Sequence, residues 1–209
     1  MSRPVRQRAE LNRKAHPVVR VLARSAAAIH AVVQLGQLRF PCALGRTGCR
    51  VRKVEGDGAT PIGCWRIDRV LYRPDRLLRP QVRLPLATIR PNAGWCDAPG
   101  DPNYNRAVAH PYPASAERLW RRDGLYDVIA VLGYNGRPRV RGRGSAIFLH
   151  VAASGYPPTE GCIALGRAHL LRILFHLGHG GVVRVLSQKK RPEPRRRAQV
   201  STYRGSGVL

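Results

Sequence analysis

A histidine and a cysteine twelve residues apart carry the chemistry this chain could do: His150 in Ser145-Ala-Ile-Phe-Leu-His-Val-Ala152 and Cys162 in Thr159-Glu-Gly-Cys-Ile-Ala-Leu165. The thiolate is the reactive form of cysteine, and a neighbouring imidazole can hold its proton. The chemistry on offer is nucleophilic attack by sulfur. Gly161 permits close approach of backbone to a ligand. Its amide and that of Cys162 are candidates to receive the negative charge of an oxyanion. A plainer reading stands beside this one: cysteine usually behaves as a small buried hydrophobe, and a histidine in an apolar strand is often a core residue. A Cys with a His elsewhere in the chain is only a candidate nucleophile.

Two strands must position these groups. If they form an antiparallel hairpin centred near Tyr156, side chains alternate between faces. Ala146, Phe148 and His150 then share a face, as do Cys162 and Ala164. Directly opposed side chains have Cβ atoms about 5 Å apart, which puts a Cys–His hydrogen bond within reach. Pro157 and Pro158 suit the intervening loop because proline lacks an amide donor and fixes φ.

Strand-like runs cover much of the remaining chain: Val18–Ala23, Ile29–Leu35, Leu38–Leu44, Ile62–Leu71, Leu125–Leu132 and Val182–Leu186. With 21 glycines and 17 prolines, turns are frequent, as in a protein of many short strands. Two helices are expected. One starts at Ser115, a good N-cap, and ends before Gly124. The other spans Arg167–Leu177, with Leu170, Leu174 and Leu177 at helical spacing and Gly178 as terminator. The fold class is mainly β, a small β-sandwich with one or two short helices. Arg73–Pro113 reads as a long loop, ordered because Trp95, Tyr104 and Tyr112 fall within it and Trp120 just after it, and walling one side of the site. Asp97, Asp101, Asn103 and Asn105 lack the spacing of an EF-hand, so turn chemistry explains them better.

Residues His150–Leu165 resemble the active-site motif of the L,D-transpeptidase (YkuD-type) family: a histidine, a variable loop, then Ser/Thr-His-Gly-Cys and an apolar residue. Upstream, Asp57-Gly-Ala-Thr-Pro-Ile-Gly63 resembles a second stretch of the same family. The likeness spans about His16 to Leu186. Glu160 stands where many members carry a second histidine, and Ala164 where a polar or basic residue often follows. The resemblance implies the β-sandwich of that family, Cys162 as nucleophile, His150 as base, Gly161 and Cys162 amides as oxyanion donors, and the Val151 carbonyl as the group orienting the histidine. It carries no role over to Glu160, which reads as a solvent-facing loop residue. Implied too is the reaction: attack on the amide between the third residue of a peptidoglycan tetrapeptide stem and its terminal D-alanine, then transfer of the acyl group to an amine. Peptidoglycan stem peptides are the implied partners and the cell envelope or periplasm the implied location. No metal and no organic cofactor is needed.

The 209 residues fit one enzyme domain, at 16–186, between basic tails at 1–15 and 187–209, the latter read as disordered. The chain carries 37 Lys+Arg against 12 Asp+Glu, a net charge of +25. Only four of those basics are lysine. Tails such as Gln188–Arg197 attract polyanions without specificity, although arginine spread over solvated faces accounts for the charge equally well. A nucleic-acid-binding protein is therefore the rival from another class. Against it stand the absence of helix-turn-helix, zinc-finger and aromatic-basic RNA patterns and the scatter of the basics. A different Cys–His carboxypeptidase or amidase is the second rival; papain-like enzymes place cysteine first. Cys42, Cys49, Cys64 and Cys96 show no zinc spacing; disulfides among them stay open, with buried reduced thiols as the default reading. The N-terminus shows no clear signal peptide, and Arg20, Arg24 and His30 interrupt Val18–Leu35 as a membrane span.

Overall fold

The structure, a computed structural model, describes residues 17–188. The N-terminal tail and residues 189–209 of the C-terminal one lie outside the described residues. In chain order the elements are β1 (Val18–Ala23), β2 (His30–Leu35), β3 (Leu38–Ala43), β4 (Cys49–Arg50), β5 (Thr60–Pro61), β6 (Gly63–Tyr72), β7 (Leu86–Thr88), β8 (Ala93–Cys96), β9 (Ala107–Ala109), β10 (Ala116–Arg118), β11 (Val128–Leu132), β12 (Phe148–Val151), β13 (Ile163–Leu165), α1 (Arg167–His176) and β14 (Val182–Ser187). The chain is mainly β, as its turn-rich, alternating sequence requires.

Nine strands make the main sheet, in the order β11-β12-β13-β3-β2-β1-β14-β6-β7, and β11 also pairs with β6. That extra pairing closes the sheet on itself through β6 and leaves the three-residue β7 at its edge, too short to invite association with other chains. Alternation along the strands separates two cores. Val128, Ala130, Leu132, Leu149, Ile163 and Leu165 face a large one. Ile129, Val131, Phe148 and Cys162 face a smaller one with Ile89, Leu119 and Tyr126. Every residue of β11 is buried because both its faces are covered.

Helix α1 seals the large core. Leu170, Ile173 and Leu174 lie on its buried side, with Leu177 just beyond, the i, i+3, i+4, i+7 stripe of an amphipathic helix. Burying a leucine of this kind contributes about 2 kcal/mol. The helix ends at Leu177, which turns to extended backbone at φ −75° and ψ 120° while its amide still reaches the Ile173 carbonyl.

The small core is capped by the central excursion, which is not a continuous loop. It contains a three-stranded sheet in the order β10-β8-β9, whose Trp95 meets Phe148 edge-on at 5.3 Å. The helix expected from Ser115 is strand β10 instead, in register with β8 so that Glu117 opposes Trp95. Ser115 accepts the Asp97 amide through its backbone carbonyl rather than capping a helix. Tertiary pairing overrides a local capping signal here. The Asp/Asn-rich run is turn chemistry: Asp101 Oδ1 accepts the Asn103 amide at 2.7 Å and the Tyr112 hydroxyl at 2.8 Å.

The hairpin expected between His150 and Cys162 is the largest difference. β12 and β13 run parallel, with His150 level with Ala164 and Leu149 with Ile163. Residues 152–162 carry the chain back to the start of β13, which then pairs antiparallel with β3. The return is fastened to the end of β3: Thr159 donates its amide to Leu44 O at 2.8 Å and accepts the Arg46 amide at 2.7 Å. Gly155 and Tyr156, at φ 78° and 54°, make its turn.

Candidate active site

The parallel register keeps Cys162 and His150 on one face. Cys162 is two residues before Ala164, so alternation returns its side chain to the side His150 occupies, level with Phe148 rather than opposite the imidazole. Accordingly the Phe148 amide donates to Cys162 Sγ at 3.3 Å. Both groups line a cavity of about 540 Å³ together with Glu117, Tyr126, Asp97 and Glu160. Its walls come from the small core, the excursion and the return loop.

The thiol proton is not on the imidazole. Sγ donates to the Ala146 carbonyl at 3.1 Å. Ala146 sits at φ 49°, an unusual region for a residue with a side chain, and its amide donates to Asn105 Oδ1 at 3.1 Å. Asn105 also takes the Trp95 indole N–H at 2.9 Å and gives its amide hydrogens to the Tyr134 and Asn135 carbonyls at 3.0 Å. One side chain from the excursion therefore fixes the carbonyl that holds the thiol. Burial pushes the Cys162 thiol up to about 12, with the nearby Glu117 carboxylate adding to it, while the Phe148 amide and Lys53 pull the other way. At rest the sulfur is a neutral thiol.

His150 Nδ1 lies 2.9 Å from the Val151 carbonyl oxygen. A carbonyl only accepts, so Nδ1 carries the hydrogen and Nε2 is left as the basic nitrogen. Burial depresses the imidazole to about 4, against a raising contribution from the Val151 bond, so it is neutral at physiological pH. The Tyr126 ring meets it edge-on at 5.3 Å. Tyr126 in turn donates its hydroxyl to Glu117.

The loop before Cys162 is built from both sequence motifs. Thr159 Oγ1 accepts the Gly161 amide at 3.1 Å and donates to the Cys162 carbonyl at 2.7 Å. Thr60 Oγ1, from the Asp-Gly-Ala-Thr-Pro stretch, accepts the Gly45 amide at 2.8 Å and reaches the same Cys162 carbonyl at 3.4 Å. Gly161 has φ 129°, and a Cβ there would stand 2.7 Å from the Ala59 carbonyl oxygen, so only glycine fits. Asp57 anchors the stretch, accepting the Ala59 and Val54 amides at 2.9 Å each and Lys53 Nζ at 2.6 Å. The Lys53 and Asp57 side chains are 2% and 9% exposed. That lysine runs beneath Gly161, its Nζ 3.3 Å from the same notional Cβ.

Glu160 turns outward, its side chain 75% exposed, and pairs with Arg46 Nε at 2.8 Å. Cys42, Cys49, Cys64 and Cys96 are free thiols, Cys64 exposed and the others buried. Among the described residues no three His, Cys, Asp or Glu side chains converge as a metal ion would require, and no helix is long and apolar enough to cross a membrane. Sequence reasoning missed Asn105, Glu117, Tyr126 and Lys53. Only Lys53 carried a signal, as the one lysine between residues 16 and 186 of an arginine-rich chain.

Comparison with known proteins adds the family. Residues 20–185 match the family model described as YkuD, L,D-transpeptidase catalytic domain. No curated protein matches the chain. Among solved structures the chain is similar to Mycobacterium tuberculosis L,D-transpeptidase 1, at 15% sequence identity and a TM-score of 0.34, over 82% of this chain and 63% of that one. The chain thus aligns with less than two thirds of that structure's length.

Proposed function

The chain belongs to the YkuD family of L,D-transpeptidase catalytic domains, and from that premise we propose that Cys162 is the nucleophile of a transpeptidase acting on peptidoglycan tetrapeptide stems. The observation that carries the reading is the shared cavity, where a neutral thiol and a neutral imidazole, held at Nδ1 by the Val151 carbonyl, sit on one sheet face. In acylation, Cys162 releases its bond to Ala146 O and passes its proton to His150 Nε2 as sulfur attacks the carbonyl carbon of the third stem residue. The Cys162 amide takes the oxyanion; the Gly161 amide joins it on leaving Thr159 Oγ1. As the C–N bond breaks, His150 returns the proton to the departing D-alanine amine. The thioester then passes to an amine of a second stem, and hydrolysis is the competing fate. Because neither group is charged at rest, proton transfer accompanies attack rather than preceding it.

Family members act on cell-wall peptidoglycan, so this chain works in the cell envelope under this reading. The test is intact-mass spectrometry of the protein with a tetrapeptide stem or a carbapenem. Wild type gains a covalent adduct, which is absent from Cys162→Ala. Labelling that survives in that variant refutes the assignment.

A further inference from the structure

Four of the chain's twelve acidic residues line the cavity that holds Cys162 and His150: Glu55, Asp97, Glu117 and Glu160. In a chain of net charge +25 that concentration is opposite to the overall field. Three of the four already have donors, since Glu160 pairs with Arg46, Glu55 accepts the Tyr104 hydroxyl and Glu117 accepts the Tyr126 hydroxyl. Asp97 and Glu117 stand on the inner face of the excursion sheet. Trp95 and Asp97 share a side of the chain through β8, and Glu117 opposes Trp95 across the pairing. Trp95 points into the small core against Phe148, so both carboxylates are carried toward the sulfur. Asp97 Oδ1 is buried without a hydrogen-bond partner. Such an atom costs about 1–3 kcal/mol if nothing satisfies it, and a hydrogen-bond donor is what it lacks. Burial raises the Glu117 carboxyl, opposed by the Tyr126 hydrogen bond and by Arg121, which makes it a better proton acceptor than an ordinary surface carboxylate.

We propose that Asp97 and Glu117 form the subsite for the second substrate, binding it as a primary ammonium and removing the proton that prevents its attack on the thioester. The inference rests on the function proposed above and names the residues of its transfer half. The protons balance. The ammonium docks on Asp97 Oδ1 and gives one proton to Glu117. The neutral nitrogen attacks the thioester carbonyl carbon, a C–N bond forms, and its second proton passes to His150 Nε2. The C–S bond then breaks, His150 returns that proton to Sγ, and Glu117 releases its own to solvent. A hydroxyl or water acceptor gains nothing from Asp97, so the pair favours aminolysis over hydrolysis.

The experiment uses the full chain with a tetrapeptide stem as donor and Nα-acetyl-lysine amide as acceptor, following acyl-enzyme by intact mass and amide product by chromatography. Asp97→Asn raises the acceptor KM about tenfold, the loss of one charged hydrogen bond. Glu117→Gln lowers the rate of transfer about 100-fold, a typical share for general-base catalysis. Acylation of that variant quickens, because the carboxylate that opposes thiolate formation is gone. Hydroxylamine, neutral at neutral pH, restores transfer to Glu117→Gln, which a merely structural role for the residue would not allow. Unchanged acceptor kinetics in both variants overturn the proposal, as does a parallel fall of acylation and transfer in Glu117→Gln. A wild-type protein that never acquires the acyl group overturns the function itself, and this subsite with it.

Discussion

Replacing Lys53 by methionine should unfasten the loop behind Cys162. The side chains of Lys53 and Asp57 are 2% and 9% exposed and joined at 2.6 Å, so the substitution leaves a carboxylate buried without its cation. Breaking such a pair costs about 3–5 kcal/mol, a large share of the roughly 5–15 kcal/mol that holds a domain together. For a chain of this size that corresponds to a fall in Tm of about 10 °C. The pH dependence gives the sign. Burial works against the ionised Asp57, but Lys53 and the Val54 and Ala59 amides together hold its carboxyl below the usual range. A carboxyl depressed on folding stabilises above its unfolded value and loses that contribution as pH falls through the folded one. Wild type should therefore lose this stability only under strong acid, while Lys53→Met begins to lose it at higher pH. Urea unfolding at a series of pH values reads both effects. Lys53→Met/Asp57→Asn removes the stranded charge and should recover about half the loss, since one amide bond remains to the side chain. A loss under about 1 kcal/mol in the single variant, or a double variant less stable than the single, would refute the reasoning.

Two further outcomes follow from the site. The imidazole of His150 is depressed to about 4 by burial, so the unfolded chain binds its proton first and wild type loses about 3 kcal/mol of stability as pH falls from about 6.5 toward 4; His150→Gln should flatten the unfolding curve across that window, and an unaltered slope would remove the claim that the ring is buried and neutral. Asn105→Ala frees the amide of Ala146 and two carbonyls, costing about 2 kcal/mol; with the Ala146 carbonyl no longer fixed, iodoacetamide should alkylate Cys162 faster than in wild type, and an equal rate at pH 7 would mean that Asn105 does not position the thiol's acceptor.

Strands whose apolar residues alternate were legible in the sequence, β1 to its ends and β2, β3, β6 and β14 to within a residue or two, because burial of one face imposes a period of two. Helix α1 was legible from its leucine spacing. Strand direction was not: period two is the same for parallel and antiparallel neighbours, so nothing in His150–Leu165 announced that β13 would return alongside β12. The shared face of the two groups is indifferent to that choice, which is why they reach one cavity although the hairpin does not exist. The small strands β8, β9 and β10 are three or four residues long, too short for a periodic signal, and their pairing hides the roles of Asn105 and Glu117. Asn105 meets the Tyr134 carbonyl and the Ala146 amide across 29 and 41 positions of sequence, beyond any local pattern.

The two cores divide the labour of the sheet. Its helix-covered side carries most of the buried apolar mass, whereas the sulfur and imidazole look into the lesser one beneath the β8–β10 cap. A lineage could therefore exchange the cap, and with it the shape of what is admitted, while the thermal robustness of the barrel stays with residues on the far side. Diversification at such a fold is expected to concentrate in the 86–126 segment, and hydrogen exchange there should outpace that of β1, β14 and α1.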